Sequence, residues 1–563
     1  MTGGAIGGAI GGAIGAVLGT QDSTPLEFWV AVRDGQYLQL DDVVHVRTPL
    51  PDGRQVDLYG IVDLVRARHE GARFDSDVFL VEQGVLPANV AQAAHVKVTR
   101  VEPEIYVPPR PGQPVHRAAG EARAQALFFD RMEQRVSIGL SRDGEPVFAN
   151  LEFLDGTRGA HVNISGISGV ATKTSYATFL LHALFAGGAF GARGANTHAI
   201  VFNVKGEDLL FLDRPNAALP ASEHAAYRAL GLPPRPFASV RFLAPATPGS
   251  TVPQTGSRTE GVLSFLWTLR EFAEQRLLRF LFADADGEQN QLGYVVDRVE
   301  RELQKAARKM PADDPGLILG SVEEPVEVRE FDQLVDLIAG QAENWARRAA
   351  PGTVAAFERR LRAAAARMGH LVRGSGAGRP GEHRLDFRQS QVSVVDLHRL
   401  HDKAQRFVVG ALLSKLFEHK ETSGSNLPLV FVVLDELNKY CPQSGHGPLK
   451  EMLVDIAERG RSLGIVLIGA QQTASEVEPR VVANCALRVV GRLDAAEAER
   501  AEYGFLGGAG RARASILKQG TMIVQQPEVP APVLLRFPFP AWATKRSEVR
   551  VDGEGGADPF AGL

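Results

Sequence analysis

HVNISGISGVATKTSY, residues 161–176, joins a short apolar run to a glycine-containing turn and a Lys-Thr pair. The reading of the whole chain turns on it. In the phosphate-binding pattern G-x-x-x-x-G-K-[ST], backbone amides cradle phosphate oxygens, the lysine neutralises them and the hydroxyl ligates Mg²⁺. Lys173 and Thr174 end the segment as that pattern requires, and SYATFLLHALF (175–185) reads as the helix behind it. Gly166 stands one residue too far upstream, and Thr172 occupies the place of the last glycine. Gly166 and Gly169 still permit a tight turn, and a one-residue bulge keeps the amides pointing inward. The expected nucleotide-binding set is therefore Gly166, Ser168, Gly169, Val170, Ala171, Thr172, Lys173, Thr174 and Ser175.

A variant loop needs its partners in the right order. IVFNVKGED (200–208) is a buried-strand run ending in Lys205-Gly206-Glu207. LPLVFVVLDELNKYCP (427–442) places Asp435 and Glu436 at the end of an unbroken apolar strand. Charges are rarely buried without a partner or metal. Two adjacent acids there read as a Walker B pair, with Asp435 toward Mg²⁺ beside Thr174 and Glu436 toward the water that attacks the γ-phosphate. IAERGRSLGIVLIGAQQTASEV (456–477) adds a helix, a glycine and another apolar strand with Gln471-Gln472 at its end. Ligands of α/β sheets bind beyond the carboxyl ends of strands, so Gln471 is expected to orient the water or sense the γ-phosphate. Arg459, Arg461 and, as a second possibility, Arg492 are candidates for an arginine that reaches a neighbour's γ-phosphate.

Composition bounds the rest. At 563 residues, 44% apolar and 23% charged, the chain reads as a soluble globular protein of several domains. A net charge of −4 excludes a globally basic nucleic-acid binder, so any such contact must be a local patch. Cys441 and Cys485 lie far apart, which argues against a disulfide framework or zinc site and suits a reducing, cytoplasmic setting. MTGGAIGGAIGGAIGAVLG (1–19) lacks a basic n-region and is too glycine-rich for a spanning helix. No membrane association is expected.

The predicted order is a flexible leader (1–14), a small β-barrel (15–115), a first part of an α/β core (116–254), a helical insertion (255–385), the second part of the core (386–545) and a tail (546–563). The barrel rests on LEFWVAV, DVVHVRT, YGIVDLV, DVFLVE and HVKVTRVEPEIYV, which alternate with a two-residue period. VPPRPGQPVHRAAG (107–120) reads as a linker. Core strands are predicted at HVNIS, HAIVFNV, SVRFLAP, QVSVVDL, LVFVVLD, GIVLIGA, LRVVGR and GTMIVQQ, the mark of a mostly parallel sheet. In 255–385 strands vanish, and GVLSFLWTLREFAEQRLLRFLF, NQLGYVVDRVERELQKAARKM and TVAAFERRLRAAAARMGHLV read as amphipathic helices. The arginine-rich stretch 343–374 reads as a solvated helix face.

With these blocks in hand, the chain resembles the HerA family of the HerA–FtsK class, ring-forming DNA-translocating ATPases. GAVLGTQDSTPLEFWVAV followed by YGIVDLV resembles its HAS barrel, and FNVKGED its D-P-K/H-G-E-Y segment. QRFVVGALLSKLFEHK resembles the helix before Walker B, LDELNKYCP the E-E-A-H-x-x-x-P block, and AERGRSLGIVLIGAQQT the block that ends in T-Q-R-P. Asn203 replaces the family's strand-end aspartate, and Gln472-Thr473 replace Arg-Pro. The resemblance implies a RecA-like P-loop core, ATP and Mg²⁺, Lys173, Glu436 and Gln471 as catalytic residues, and a homohexamer around double-stranded DNA. It also implies a NurA-type nuclease partner in DNA end resection and double-strand break repair. Three alternatives remain open: an antiphage motor with another effector, a conjugation or pilus-assembly ATPase, and a non-catalytic scaffold ring.

Overall fold

The computed structural model describes residues 12–70, 72, 74–87, 89–167, 173–206, 208–282, 289–320 and 324–549. Six strands open the chain: β1 (Gly15–Val17), β2 (Glu27–Val32), β3 (Val43–Pro49), β4 (Gln55–Glu70), β5 (Asn89–Glu102) and β6 (Pro114–Arg117). They close into a barrel in the order β1-β2-β5-β4-β3-β6, antiparallel throughout. Alternation makes the core: Phe28 and Val30, Val44 and Val46, Val96 and Val115 point inward and are buried together.

Two expectations in this region are corrected. DVFLVE is a helix, Asp77–Glu82, and not a strand. β4 and β5 pair directly as far as Glu70–Asn89, so the helix between them is left without a sheet edge to join. The proline-rich segment 107–120 is no mere linker, because β6 lies in it and pairs with both β1 and β3. Pro114 heads that strand, a position where its missing N–H is tolerated.

The second body is a twelve-stranded sheet. Its strands are β7 (Arg135–Leu140), β8 (Pro146–Asn150), β9 (Val162–Ser165), β10 (Thr197–Asn203), β11 (Val240–Pro245) and β12 (Val262–Phe265). After four short strands, β13 (Trp267–Thr268), β14 (Leu317–Gly320), β15 (Pro325–Val328) and β16 (Val372–Arg373), it continues with β17 (Val392–Asp396), β18 (Leu429–Asp435) and β19 (Ile465–Gln471). β20 (Leu487–Val490), β21 (Thr521–Gln525) and β22 (Val533–Arg536) complete it. The order is β12-β11-β17-β10-β18-β19-β9-β20-β21-β22-β7-β8. Pairs from β12 to β20 are parallel; those from β20 to β8 are antiparallel.

The parallel strands are apolar on both sides because helices cover both faces. Along β18, Val430, Val432 and Leu434 face one core, and Leu429, Phe431 and Val433 face the other. The Lys173–Ala186 helix lies in the second core, while the Asp402–Ser423 and Pro448–Leu463 helices lie in the first. The expected α/β core behind an N-terminal barrel is thus the fold.

Strands do not vanish in 255–385. β12 extends the main sheet, and β13–β16 form two small ribbons. GVLSFLWTLREFAEQRLLRFLF is accordingly not one helix. Thr268 and Glu271 form a capping box that starts a helix only at Leu269, and Arg276, at φ +54°, ends it. The helices Gln289–Ala307 and Pro351–Ala365 match the other two amphipathic stretches. Among the described residues, no helix is long and apolar enough to cross a membrane.

Candidate functional site

A row of polar residues ends neighbouring parallel strands. Asp396 ends β17, Asn203 β10, Asp435 β18, Gln471 β19 and Ser165 β9, in spatial order along one edge of the sheet. Each closes a buried, mostly apolar strand, so its polar side chain stands at the crevice where α/β sheets bind ligands.

Gly166 and Ile167, which lead out of β9, are tied to this row and its neighbour. Gly166 N donates to the Gln471 carbonyl (3.2 Å) and Ile167 N to the Arg492 carbonyl (2.8 Å). A Cβ on Gly166 would come within 3.3 Å of the Arg492 carbonyl oxygen. Ser168, Gly169, Val170, Ala171 and Thr172 lie outside the described residues. Lys173 opens the helix and is 4% exposed, and its Nζ has no hydrogen-bond partner among the described residues. Burial pushes its ammonium down to about 8, helped by the charge of Lys205 and opposed by Glu436 and Asp435. A buried ammonium without a hydrogen bond is costly; a ligand phosphate is the chemical partner that fits it.

Thr174 Oγ1 donates to Asp435 Oδ2 at 3.0 Å, joining the Lys173–Ala186 helix to the end of β18. Asp435 Oδ1 accepts from the Glu436 amide at 3.0 Å. Glu436 sits in the left-handed region, φ +57°, which turns its side chain out of the strand direction and starts a short helix, Leu437–Tyr440. Lys205 Nζ lies 2.5 Å from Glu436 Oε1 and 3.4 Å from Asp435 Oδ2. Burial opposes ionisation of Glu436, but the Lys205 hydrogen bond and charge outweigh it and hold the carboxyl below its ordinary value. Gln472 Nε2 reaches Glu436 Oε1 at 3.5 Å. Gln471 is fully buried and donates to Ser165 Oγ at 3.3 Å; its Oε1 has no partner among the described residues. Thr174 and Asp435 together offer the hydroxyl and carboxylate oxygens that a hard divalent cation takes, so the donor set fits Mg²⁺. The crevice thus gathers Lys173, Thr174, Asp435 and Glu436 around one point.

No protein-family model and no curated relative matches this chain. Solved structures do. VirB4 of Thermoanaerobacter pseudethanolicus is similar at 15% identity over 72% of this chain and 97% of that one, with a TM-score of 0.44. The bacterial conjugative coupling protein TrwB, in a trigonal form with sulphate, is similar at 11% identity over 75% of this chain and 94% of that one, TM-score 0.46. The plasmid coupling protein TrwB in complex with ADP and Mg²⁺ is similar at 12% identity over 69% and 88%, TM-score 0.42.

The arginines are not gathered at the crevice. Arg459 and Arg461 sit at the end of the Pro448–Leu463 helix, next to the amino end of β19, about 20 Å from its carboxyl end. Arg459 pairs with Glu421 at 2.5 Å, and Arg461 donates to the carbonyls of Gly156 (3.0 Å) and Thr157 (2.8 Å). Arg492 lies at the correct end, beside the loop, but its Nε donates to the Ser515 carbonyl at 3.1 Å.

Sequence reading assigned no role to Lys205, Asp396 or His398. Asn203 Nδ2 donates to Asp396 Oδ1 (3.0 Å) and to the Gly206 carbonyl (2.9 Å), and His398 Nδ1 lies 2.9 Å from both Asp396 oxygens. An aspartate at 203 would set two buried carboxylates against each other. That explains the amide there. The signal was present in QVSVVDL, whose mostly apolar strand ends in an acid just as LVFVVLD does.

Proposed function

We propose that this protein is an ATP hydrolase that drives movement of double-stranded DNA, acting as a homohexamer. The observation that supports hydrolysis most is the convergence of Lys173, Thr174, Asp435 and Glu436 from separate elements on one crevice. Lys173 binds phosphate oxygens, and Thr174 and Asp435 hold Mg²⁺, which supplies charge neutralisation of the phosphates when bound. Glu436 takes a proton from water as the water oxygen bonds to the γ-phosphorus. The bond from that phosphorus to the β-phosphate oxygen breaks, and its electron pair leaves with ADP. Gln471, anchored through Ser165, orients the water or senses the γ-phosphate.

The ordered motif blocks support the DNA and ring parts of the reading. Arg459 and Arg461, at the opposite end of the sheet, are assigned to the site of a neighbouring copy. The barrel is assigned to docking a NurA-type nuclease in a cytoplasmic machine for DNA end resection and double-strand break repair.

The test is the ATPase rate with and without linear duplex DNA. Glu436→Gln should lower the rate by about 10²–10⁴-fold with nucleotide still bound, and Lys173→Ala should lose nucleotide binding. A wild-type rate no higher than that of Glu436→Gln would sink the hydrolase reading. Hydrolysis indifferent to DNA would sink the motor.

A further inference from the structure

We propose that Lys205 is a built-in counter-ion of the Asp435–Glu436 pair, which a divalent cation must displace before Asp435 and Thr174 can hold it. The inference rests on the nucleotide-hydrolase reading and adds a positioning residue to it. Asp435 Oδ2 is the atom on which the claims meet: it accepts from Thr174 Oγ1 at 3.0 Å and lies 3.4 Å from the Lys205 ammonium. A cation bound to that oxygen and an ammonium at hydrogen-bond distance from it repel each other.

The surroundings show which part gives way. The carboxylate side chains are 5% and 9% exposed, whereas that of Lys205 is 42% exposed and has water to move into. The backbone beneath it is held, because Asn203 Nδ2 bridges the Gly206 carbonyl and Asp396 Oδ1, and His398 holds Asp396 in turn. Displacement is therefore a movement of the lysine side chain and not of its loop. It also releases Glu436. While Lys205 lies 2.5 Å from Glu436 Oε1, that oxygen's lone pairs are engaged by an ammonium; once it leaves, the remaining contact is Gln472 at 3.5 Å, and the carboxylate is free to accept a proton from water. Metal entry and uncovering of the base thus become one event. Two adjacent buried carboxylates also need a positive partner to be tolerated, which explains why a lysine stands there at all.

The experiment measures Mn²⁺ binding to the full chain without nucleotide, by electron paramagnetic resonance, in wild type, Lys205→Met and Lys205→Arg. Lys205→Met should bind Mn²⁺ at least about fivefold more tightly than wild type, the low end of coupled ligand effects. Lys205→Arg, which keeps the charge, should stay near wild type and guards against a folding defect in the methionine variant. Equal or weaker Mn²⁺ binding in Lys205→Met overturns the assignment, as does Mn²⁺ binding that survives Asp435→Asn. A fluorescent ATP analogue separates the two readings. If wild type binds it and the Mn²⁺ affinities are equal, the counter-ion alone falls. If wild type binds no nucleotide, the hydrolase reading falls and takes the counter-ion with it.

Discussion

Asn203 shows how one atom changes the physics of a strand end. Its amide donates to Asp396, a carboxyl that burial pushes above the ordinary range while His398 and Asn203 pull it back. Asn203→Asp would replace the donor with a second carboxylate at the same short distance. Like charges in a buried site raise one carboxyl further. A carboxyl whose folded value is raised costs stability in full above that folded value; the cost shrinks as pH falls through it and is gone below the unfolded value. The variant should therefore melt below wild type at pH 7, with the gap narrowing as pH falls toward the ordinary aspartate value of about 4. Thermal melts at several pH values check this; a gap that widens in acid would contradict it. The same residue-scale logic makes Lys173 legible in sequence and Lys205 not. A lysine at the end of a glycine-containing turn matches a pattern written in one short segment, but an ion pair across more than two hundred residues is announced by nothing local.

At the scale of elements, the turn from the Pro448–Leu463 helix into β19 is a tightly constrained joint at the end of the sheet opposite the crevice. Gly464 has φ +68°, and a Cβ on it would lie 1.8 Å from the Asn426 backbone carbonyl oxygen. Its own carbonyl accepts from Val430 N at 2.9 Å, so the joint also sets the register of β18. Gly464→Ala should cost about 3 kcal/mol, from the left-handed backbone and from overpacking against main chain. Urea unfolding would measure it; a cost below about 0.5 kcal/mol would mean that the 424–428 segment yields easily. Elements misread from sequence share a cause. Asp77–Glu82 has strand-like composition but no edge to join, while β6 has linker-like composition but two edges waiting for it. Pairing partners decided both, and pairing is not written in the segment.

At the scale of the molecule, barrel and core are joined through a shared apolar cluster and a charged clasp. Val43, Tyr59 and Ile61 of the barrel pack in the same core as Leu127 and Leu140. Asp42, buried in the barrel, accepts from Arg117 at 3.0 Å and from Arg142 of the core at 3.3 Å, and Asp41 pairs with Arg513 at 2.7 Å. Asp42→Ala leaves both of its arginines without that carboxylate. Since they keep access to water, the cost should be about 2 kcal/mol and not the larger value of a fully buried pair. Calorimetry should then show barrel unfolding separating from that of the core; a single unshifted transition would show that the apolar cluster alone holds the joint.

The sequence by itself determined the parallel strands and the acid and amide side chains at their ends. Long β-branched apolar runs that stop at one polar residue have a single cheap arrangement, a strand buried on both faces with its end at the sheet edge. It also determined the barrel strands β2 to β5, whose two-residue alternation buries one face, though the same reading fails for DVFLVE. Only the tertiary structure decided that β6 closes the barrel and that β12 and the antiparallel strands β7, β8 and β22 extend the sheet. It alone set Arg461 away from the crevice, and Lys205 between Asp435 and Glu436. Those outcomes depend on which edges and charges meet across long stretches of chain, and no short window of sequence contains both members of such a pair.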